Sequence, residues 1–155
     1  MNRWPLAAGL LAAAILIPGG DVQAQTRATG TFEVTVLPLP ADTGVDTGGF
    51  GRLSLDKRFS GDLAGISKGQ MLGAMAAVAG SGGYVALELV TGMLNGRRGS
   101  FVLQHNGTMR GGAAEMHVVV VPDSGTGELT GLSGTMRVII EGGRHSYEFE
   151  YTIAP

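Results

Sequence analysis

Short alternations of apolar and polar residues, separated by glycine-rich turns, run through most of this chain. Side chains that alternate between two sides in this way indicate β-strands with one buried face. Strands joined in sequence by short turns predict an all-β antiparallel meander, which can close into a barrel without an open edge. We predict eight strands, at Thr29–Leu37, Gly51–Phe59, Asp62–Val78, Gly83–Leu94, Ser100–Met109, Glu115–Val121, Thr135–Glu141 and Arg144–Ile153.

A pair of glycines at 142–143 predicts a two-residue hairpin turn. That turn pairs Val138 with Tyr147 on an apolar face and Arg137 with Glu148 on a charged face. One apolar and one charged face is what a half-buried sheet requires, so the pattern supports this register.

A second two-residue turn, Asn-Gly at 95–96, pairs Ala86 with His105. On this register Tyr84, Glu88 and His105 share the inner face, and Glu88 lies diagonal to His105. A turn of three residues would instead move Glu88 to the opposite face, because side chains alternate with a period of two.

The N-terminal 24 residues have the pattern of a secretory signal peptide. A short basic end at Arg3 is followed by an apolar run over Trp4–Ile17 and by Ala24 at the expected cleavage point. The apolar run is shorter than the roughly 20 residues of a membrane-spanning helix. We therefore expect cleavage near Ala24, a single domain over residues 25–155, and a secreted or periplasmic location.

Composition narrows the classes of partner and chemistry. The net charge is −2, and only Arg97 and Arg98 stand together as a pair of arginines, so the chain lacks the clustered basic face of a nucleic-acid groove. The chain has no cysteine, which excludes disulfides and a thiol nucleophile. We expect no cofactor, no nucleic acid and no membrane span.

Glu88 is the first candidate for chemistry, because its segment is apolar on both faces. Burial raises the pKa of a carboxyl group, which suits a general acid or base, or a partner for a polar ligand group. The alternative is a structural ion pair with Lys57, Lys68 or an arginine. Both interpretations remain open from the sequence.

Histidines offer the second candidate chemistry. His105, His117 and His145 could all lie on apolar faces, and three histidines can bind zinc or iron. Their spacing lacks the close pairs typical of such sites, so we favour histidines satisfied by hydrogen bonds, without a metal.

Two further motifs have the form of hydrolase signatures. Residues 65–69 match G-x-S-x-G around Ser67, and residues 42–48 contain Asp-Thr-Gly twice. The first motif needs a strand, a sharp turn and a helix, which this strand-rich chain does not offer. The second needs two carboxylates facing each other across a symmetric cleft, which one short loop does not supply.

Four blocks together carry a resemblance to a known family: "GRLSLDKRFSGDLAGISKGQML", "GSGGYVALELVTGMLNGRRGSFVLQHNGTM", "VVVVPDSGTGELTGLSGTM" and "HSYEFEYTI". The chain resembles, over about Ala28–Ile153, a bacterial family of small secreted or cytosolic proteins of unknown function with the allene oxide cyclase-like barrel fold. The resemblance implies a closed eight-stranded antiparallel barrel. Allene oxide cyclases hold a fatty-acid epoxide in an apolar barrel, and dirigent proteins direct the coupling of phenolic radicals, in both cases without a cofactor. No catalytic residue transfers position by position.

The sequence leaves three functions open. The leading hypothesis is a barrel whose lumen binds a small apolar or amphipathic molecule. The second is a cofactor-independent cyclase or isomerase in which Glu88 or His105 moves a proton. The third is a structural or oligomer-forming barrel with a filled interior, its apolar outer residues serving self-association. The predicted polar contacts for a ligand are Tyr84, Glu88, His105 and Tyr147, and the predicted walls are Phe101, Leu103, Met136, Val138 and Phe149.

Overall fold

The computed structural model describes residues 24–40 and 50–155, which form one closed β-barrel. Eight antiparallel strands follow one another around the wall in chain order, and the last pairs with the first. The predicted all-β meander barrel is therefore confirmed. The strands are β1 (Thr26–Pro38), β2 (Gly51–Gly61), β3 (Leu63–Met75), β4 (Gly82–Leu94), β5 (Arg97–Arg110), β6 (Ala113–Val120), β7 (Leu132–Glu141) and β8 (Arg144–Ile153).

Two predicted segments lie outside the described residues. They are the signal peptide up to residue 23 and the loop at 41–49 that contains the Asp-Thr-Gly triplets. Within the two described ranges, no helix has the length and apolar character needed to cross a membrane.

Both predicted hairpin registers are confirmed. Asn95 and Gly96 have φ angles of 47° and 82°, as a two-residue primed turn requires, and β4 and β5 pair Ala86 with His105. The glycines at 142–143 also have positive φ angles, and β7 and β8 pair Val138 with Tyr147. Glu88 and His105 consequently both face the lumen.

Strand β3 ends three residues before its predicted end at Val78. The backbone turns at 76–81, where the Ala76 amide donates to the Ser81 carbonyl at 2.9 Å. Gly80, with a φ angle of 73°, supplies the left-handed residue of this turn. A run of small apolar residues continues the strand pattern in sequence, but the turn decides where the strand ends.

The two ends of the barrel differ in their connections. The lower end carries the turns at 61–62 and 95–96 and a short 3₁₀ turn, Gly127–Leu129. The upper end carries the turns at 111–112 and 142–143. Because residues two apart on a strand face the same side, each strand places inward side chains at successive heights between these ends.

Side chains fill the lower half of the lumen. The rings of Phe101 and Phe149 stack with centroids 5.9 Å apart, and Tyr151 contacts Phe149 at 5.3 Å. Each such side chain contributes about 1.5–3 kcal/mol by leaving water. The buried members of this lower core are Ala28, Phe59, Leu63, Val90, Leu94, Phe101, Leu103, Leu129, Leu132, Met136, Phe149 and Tyr151.

One join in the wall is much weaker than the others. Strands β6 and β7 share a single bridge pair, Val119 with Thr135, whereas β4 and β5 pair continuously from Gly82 to Leu94. Above that bridge, Ala113–Val118 and Met136–Glu141 face each other without ladder pairing. We call this stretch the β6–β7 seam.

Candidate functional site

Four polar side chains are buried together in the wall of the lumen, one on each of strands β2 to β5. Lys57 is 8% exposed, Ser67 2%, Glu88 1% and His105 4%. Each occupies an inward position of its strand, and the tilt of the strands brings the four to one height. We call these four residues the polar cluster.

Glu88 is the centre of the polar cluster. Lys57 Nζ donates to Oε1 of Glu88 at 2.8 Å, and His105 Nε2 lies 3.0 Å from the same oxygen. Ser67 Oγ donates to the other oxygen, Oε2, at 2.9 Å. Both carboxylate oxygens therefore have partners, as a buried charge requires.

The pKa of Glu88 follows from these contacts. Burial acts to raise the pKa, but the hydrogen bond from His105 and the charge of Lys57 outweigh it and lower the pKa to about 2. Of the two interpretations that the sequence left open, the raised pKa does not hold, because the partners of the carboxylate outweigh its burial. The alternative from the sequence, an ion pair with Lys57, is the one that forms.

Aromatic rings surround the Lys57 ammonium on its other side. Nζ lies 5.0 Å from the ring centroid of Phe32 and 5.8 Å from that of Phe59. Cation–π attraction of this kind partly replaces the hydration that a buried ammonium loses. Lys57 is thereby held by one carboxylate and two ring faces.

His105 is oriented by Glu88. A carboxylate only accepts hydrogen bonds, so the proton shared with Glu88 belongs to Nε2. The other ring nitrogen, Nδ1, meets no hydrogen-bond partner among residues 24–40 and 50–155. In the neutral ring Nδ1 is then an acceptor, available to a molecule in the lumen.

Tyr84 lies above the polar cluster on β4. A Cβ atom at Gly107 would come within 2.5 Å of the Tyr84 ring, so the ring packs closely against this glycine. Burial raises the pKa of Tyr84, and the negative charge of Glu88 raises it further. At neutral pH the hydroxyl keeps its proton and can donate a hydrogen bond.

The other predicted site residues lie in the packed lower half. Tyr147 accepts a hydrogen bond from the backbone amide of Leu63 at 2.8 Å, close to the turn between β2 and β3. Phe101 and Leu103 belong to the lower core. The structure thus brings together Tyr84, Glu88 and His105, with Leu103 directly across from Glu88 on β5, and places Tyr147 and Phe101 lower in the lumen.

Above the polar cluster the lumen is lined by apolar side chains that solvent reaches. Val36 is 41% exposed, Met116 40% and Ile140 57%, although each faces inward on its strand. Half-buried side chains lie between them and the polar cluster. This upper lumen is lined by Val34, Val36, Leu53, Met71, Met116, Val138 and Ile140.

The histidines do not form a common site. His117 pairs with Asn106 and is exposed on the outer face, whereas His105 faces the lumen. His145 is half-buried beside β1, with its ring 5.1 Å from that of Phe32. The described residues contain no group of three or more histidine, aspartate and glutamate side chains able to hold a metal ion.

The outer face carries a separate apolar feature. Val85, Leu87 and Leu89 of β4 all point outward and are more than half exposed. Val85 and Leu87 border an open groove of about 970 Å³ that is flanked by Arg52 and Lys68. Strand β4 is therefore apolar on both faces, as its sequence indicates.

The sequence indicates Lys57 only as a partner of Glu88, and Ser67 only as part of the G-x-S-x-G motif. The alternation Leu53, Leu55, Lys57, Phe59 does place Lys57 on the buried face of its strand. In β3 the same alternation places Ser67 on the buried face, together with Leu63. This alternation was the available signal for both.

Comparison with known proteins gives a family without an assigned activity. The model of the family described as "Protein of unknown function (DUF3224)" matches residues 28–151. A crystal structure of a protein of unknown function from the DUF3224 family of Shewanella oneidensis MR-1, at 1.84 Å resolution, is similar to this chain with a TM-score of 0.78 and 51% identity. That similarity covers 85% of this chain and 100% of the other. Comparison with curated proteins finds no match.

Proposed function

Because the chain belongs to the DUF3224 family, whose function is unknown, we propose a function from the barrel itself: the upper lumen binds a small apolar or amphipathic molecule. The observation that carries this proposal is the set of inward apolar side chains that solvent reaches, among them Met116 and Ile140. In a barrel without a ligand role, inward apolar side chains are expected to be packed, as they are in the lower half.

Polar groups at the base of the upper lumen support orientation of the ligand. Nδ1 of His105 offers an acceptor and the hydroxyl of Tyr84 a donor. Small-molecule sites generally combine an apolar lining with a few such groups. Glu88 takes an indirect part, since its oxygens are occupied by Lys57, His105 and Ser67.

The test is a displacement titration with a fluorescent fatty acid on the mature protein. The only tryptophan of the chain is Trp4, in the predicted signal peptide, so an added tryptophan gives a clean energy-transfer signal. Val36→Trp narrows the upper lumen and should weaken binding of the probe at least tenfold. Leu87→Trp, in the outer groove, is the matched control and should leave affinity unchanged. The reverse pattern would place the probe in the outer groove and overturn the proposal.

One observation favours a second candidate, a cofactor-independent cyclase or isomerase. The Glu88 carboxylate fixes Nε2 of His105 and leaves Nδ1 free to take up and return a proton. With a pKa of about 2, Glu88 itself stays ionised at neutral pH, so His105 is the proton carrier in this candidate. Native mass spectrometry of the gently purified protein in D2O would show deuterium entering a co-purified molecule, and His105→Ala should abolish that exchange.

We also propose that copies of the barrel associate through the outer face of β4. Exposed Val85, Leu87 and Leu89 on the outer face support association of copies, since apolar patches on monomers are usually small. Sedimentation of the wild type and Leu87→Lys tests this, because a charge in the patch should shift any oligomer toward monomer.

A secreted or periplasmic location rests on the signal-peptide pattern of the sequence.

A further inference from the structure

We propose that the ligand enters the upper lumen sideways through the β6–β7 seam, and that it is an uncharged amphiphile with a hydroxyl head group and an apolar chain. This inference rests on the proposed function and names its ligand class and route. Each part follows from a separate feature of the barrel wall.

Opening the barrel wall at the β6–β7 seam breaks fewer backbone residue pairs than opening it between any other two strands. Within the described ranges, the bridge of Val119 with Thr135 is the only residue pair that joins β6 to β7. Separating these two strands therefore breaks almost no ladder. At every other join, opening would break seven or more residue pairs.

The rim beside the seam is fixed in place on its other side. The amide of Gly112 donates to the carbonyl of Gly80 at 2.9 Å, and the amide of Gly111 donates to Oγ of Ser81 at 3.1 Å. These bonds join the β5–β6 turn to the β3–β4 turn over the part of the lumen that holds Tyr84. Strand β6 is therefore held on its β5 side, and we expect it to separate from β7.

Side chains along the seam suit an apolar chain. Met116 and Ile140 face inward and are exposed, whereas Val118 and Met136, just above the bridge, are buried. The opening therefore has apolar sides and a closed lower limit. Methionine, being flexible, can move aside for a passing chain and then pack against it.

The seam leads directly to His105. Val118 of β6 pairs with His105 of β5, so one strand separates the seam from the unpartnered Nδ1. Nδ1 of the neutral ring accepts a hydrogen bond, which a hydroxyl group donates. A head group at His105 leaves the apolar chain to lie toward Met116 and the seam.

Charge decides between a neutral and an ionised head group. With His105 in its neutral form, the charges of Lys57 and Glu88 compensate each other, and both side chains are already satisfied. A second anion or cation at this depth would lack a counterion and would carry a large desolvation cost. An alcohol head avoids that cost.

The experiment cross-links the seam and measures binding rates. His117 and Arg137 lie one step above the bridge and face outward, so His117→Cys with Arg137→Cys places two thiols across the seam in a chain without other cysteines. Dibromobimane fluoresces only after both thiols react and so reports the cross-link. The matched control is Ser133→Cys with Thr152→Cys across β7 and β8, where the two hydroxyls lie 2.9 Å apart.

Stopped-flow mixing with a fluorescent long-chain alcohol gives the result. The seam cross-link should slow association and dissociation at least tenfold each and leave Kd nearly unchanged, while the control cross-link should change neither rate. Equal rates with and without the seam cross-link would overturn entry through the seam but would not contradict binding in the lumen. Failure of the unmodified protein to bind either the alcohol or the fatty acid overturns the proposed function together with this route. Tighter binding of the fatty acid than of the alcohol overturns the neutral head group.

Hydrogen exchange tests the seam without ligand or cross-link. Amides of Ala113–Val118 that point toward β7 should exchange much faster than amides of β5 that point toward β4. Equal protection in the two places would show a closed wall and would overturn the proposal.

Discussion

Lys57 and Glu88 form an ion pair inside the barrel, with Nζ 2.8 Å from Oε1 and both side chains almost completely removed from solvent. A buried pair of this kind adds little net stability, but it makes each charge depend on the other. The first two predictions follow from this dependence.

Glu88→Gln should destabilise the barrel by about 3–5 kcal/mol, because it leaves the Lys57 ammonium buried without a counterion. The double variant Lys57→Met with Glu88→Gln should recover a large part of that loss. Urea unfolding of the single and double variants measures the coupling. The exposed pair of Lys68 with Asp56 is the control, and Asp56→Asn should cost less than about 1 kcal/mol.

Acid should destabilise the wild type in a definite pH range. The pKa of Glu88 is about 2 in the folded protein and 4.5 ordinarily, so the unfolded state binds the proton first as pH falls. Ionised Glu88 contributes about 3 kcal/mol to the unfolding free energy above about pH 4.5, and this contribution is lost as pH falls toward 2. Unfolding free energies of the wild type and Glu88→Gln should therefore converge over this range. Parallel pH profiles would contradict the low pKa.

Tyr147→Phe should lower stability and leave ligand binding unchanged, whereas Tyr84→Phe should weaken ligand binding and leave stability unchanged. Tyr147→Phe leaves the buried amide of Leu63 without an acceptor and should lower the unfolding free energy by about 1–3 kcal/mol. Tyr84→Phe should leave stability within about 0.5 kcal/mol, since the part-exposed hydroxyl has no protein partner that it would leave buried and unpaired. Fatty-acid titration should show weaker binding for Tyr84→Phe and unchanged binding for Tyr147→Phe.

Gly69→Ala should disturb the polar cluster through the backbone. An added Cβ would overlap the Leu87 carbonyl oxygen and lie 2.6 Å from Cβ of Glu88, so β3 and β4 must separate. We expect a loss of about 1–3 kcal/mol in thermal or urea unfolding. Gly51→Ala is the matched control, because its Cβ meets nothing within 4 Å, and it should be nearly neutral. A neutral Gly69→Ala would show that β3 and β4 have room for a methyl group at this position.

The mature protein should begin near Gln25. Expression of the full chain in a Gram-negative host, followed by intact-mass measurement of the periplasmic fraction, checks the predicted cleavage after Ala24. A single full-length species confined to the cytosol would contradict the export proposal. Ala24→Asp, which removes the small residue before the cut, should block processing.

The strand order and two registers could be predicted because tight turns fix them locally. Turns at 95–96 and 142–143 set the pairing of residues as distant as Ala86 and His105, and the structure reproduces that pairing. For β6 and β7, an eleven-residue connection over 121–131 replaces a tight turn. A long connection does not specify a register, so the weak seam left no signal in the sequence.

The candidate site was predictable in part. Alternation placed Glu88 and His105 on one inner face, but the direction of the Glu88 pKa depended on Lys57, which is 31 residues away on another strand. Distances between side chains on different strands arise from the tilt of the barrel and not from local spacing. Tyr147 illustrates the same point, since its inward position was predicted but its height along the axis was not.

The ladder that closes the barrel joins Thr26 to Tyr151 and Phe32 to His145, over more than a hundred intervening residues. Pairing at such separation forms slowly, because the chain must first lose the entropy of a very long loop. The tight hairpins β4–β5 and β7–β8 can form early, and the β1–β8 ladder forms last. Until then both terminal strands have open edges that can pair with other chains. Aggregation during folding should therefore depend on how quickly the two ends of the chain meet, more than on how stable the finished barrel is.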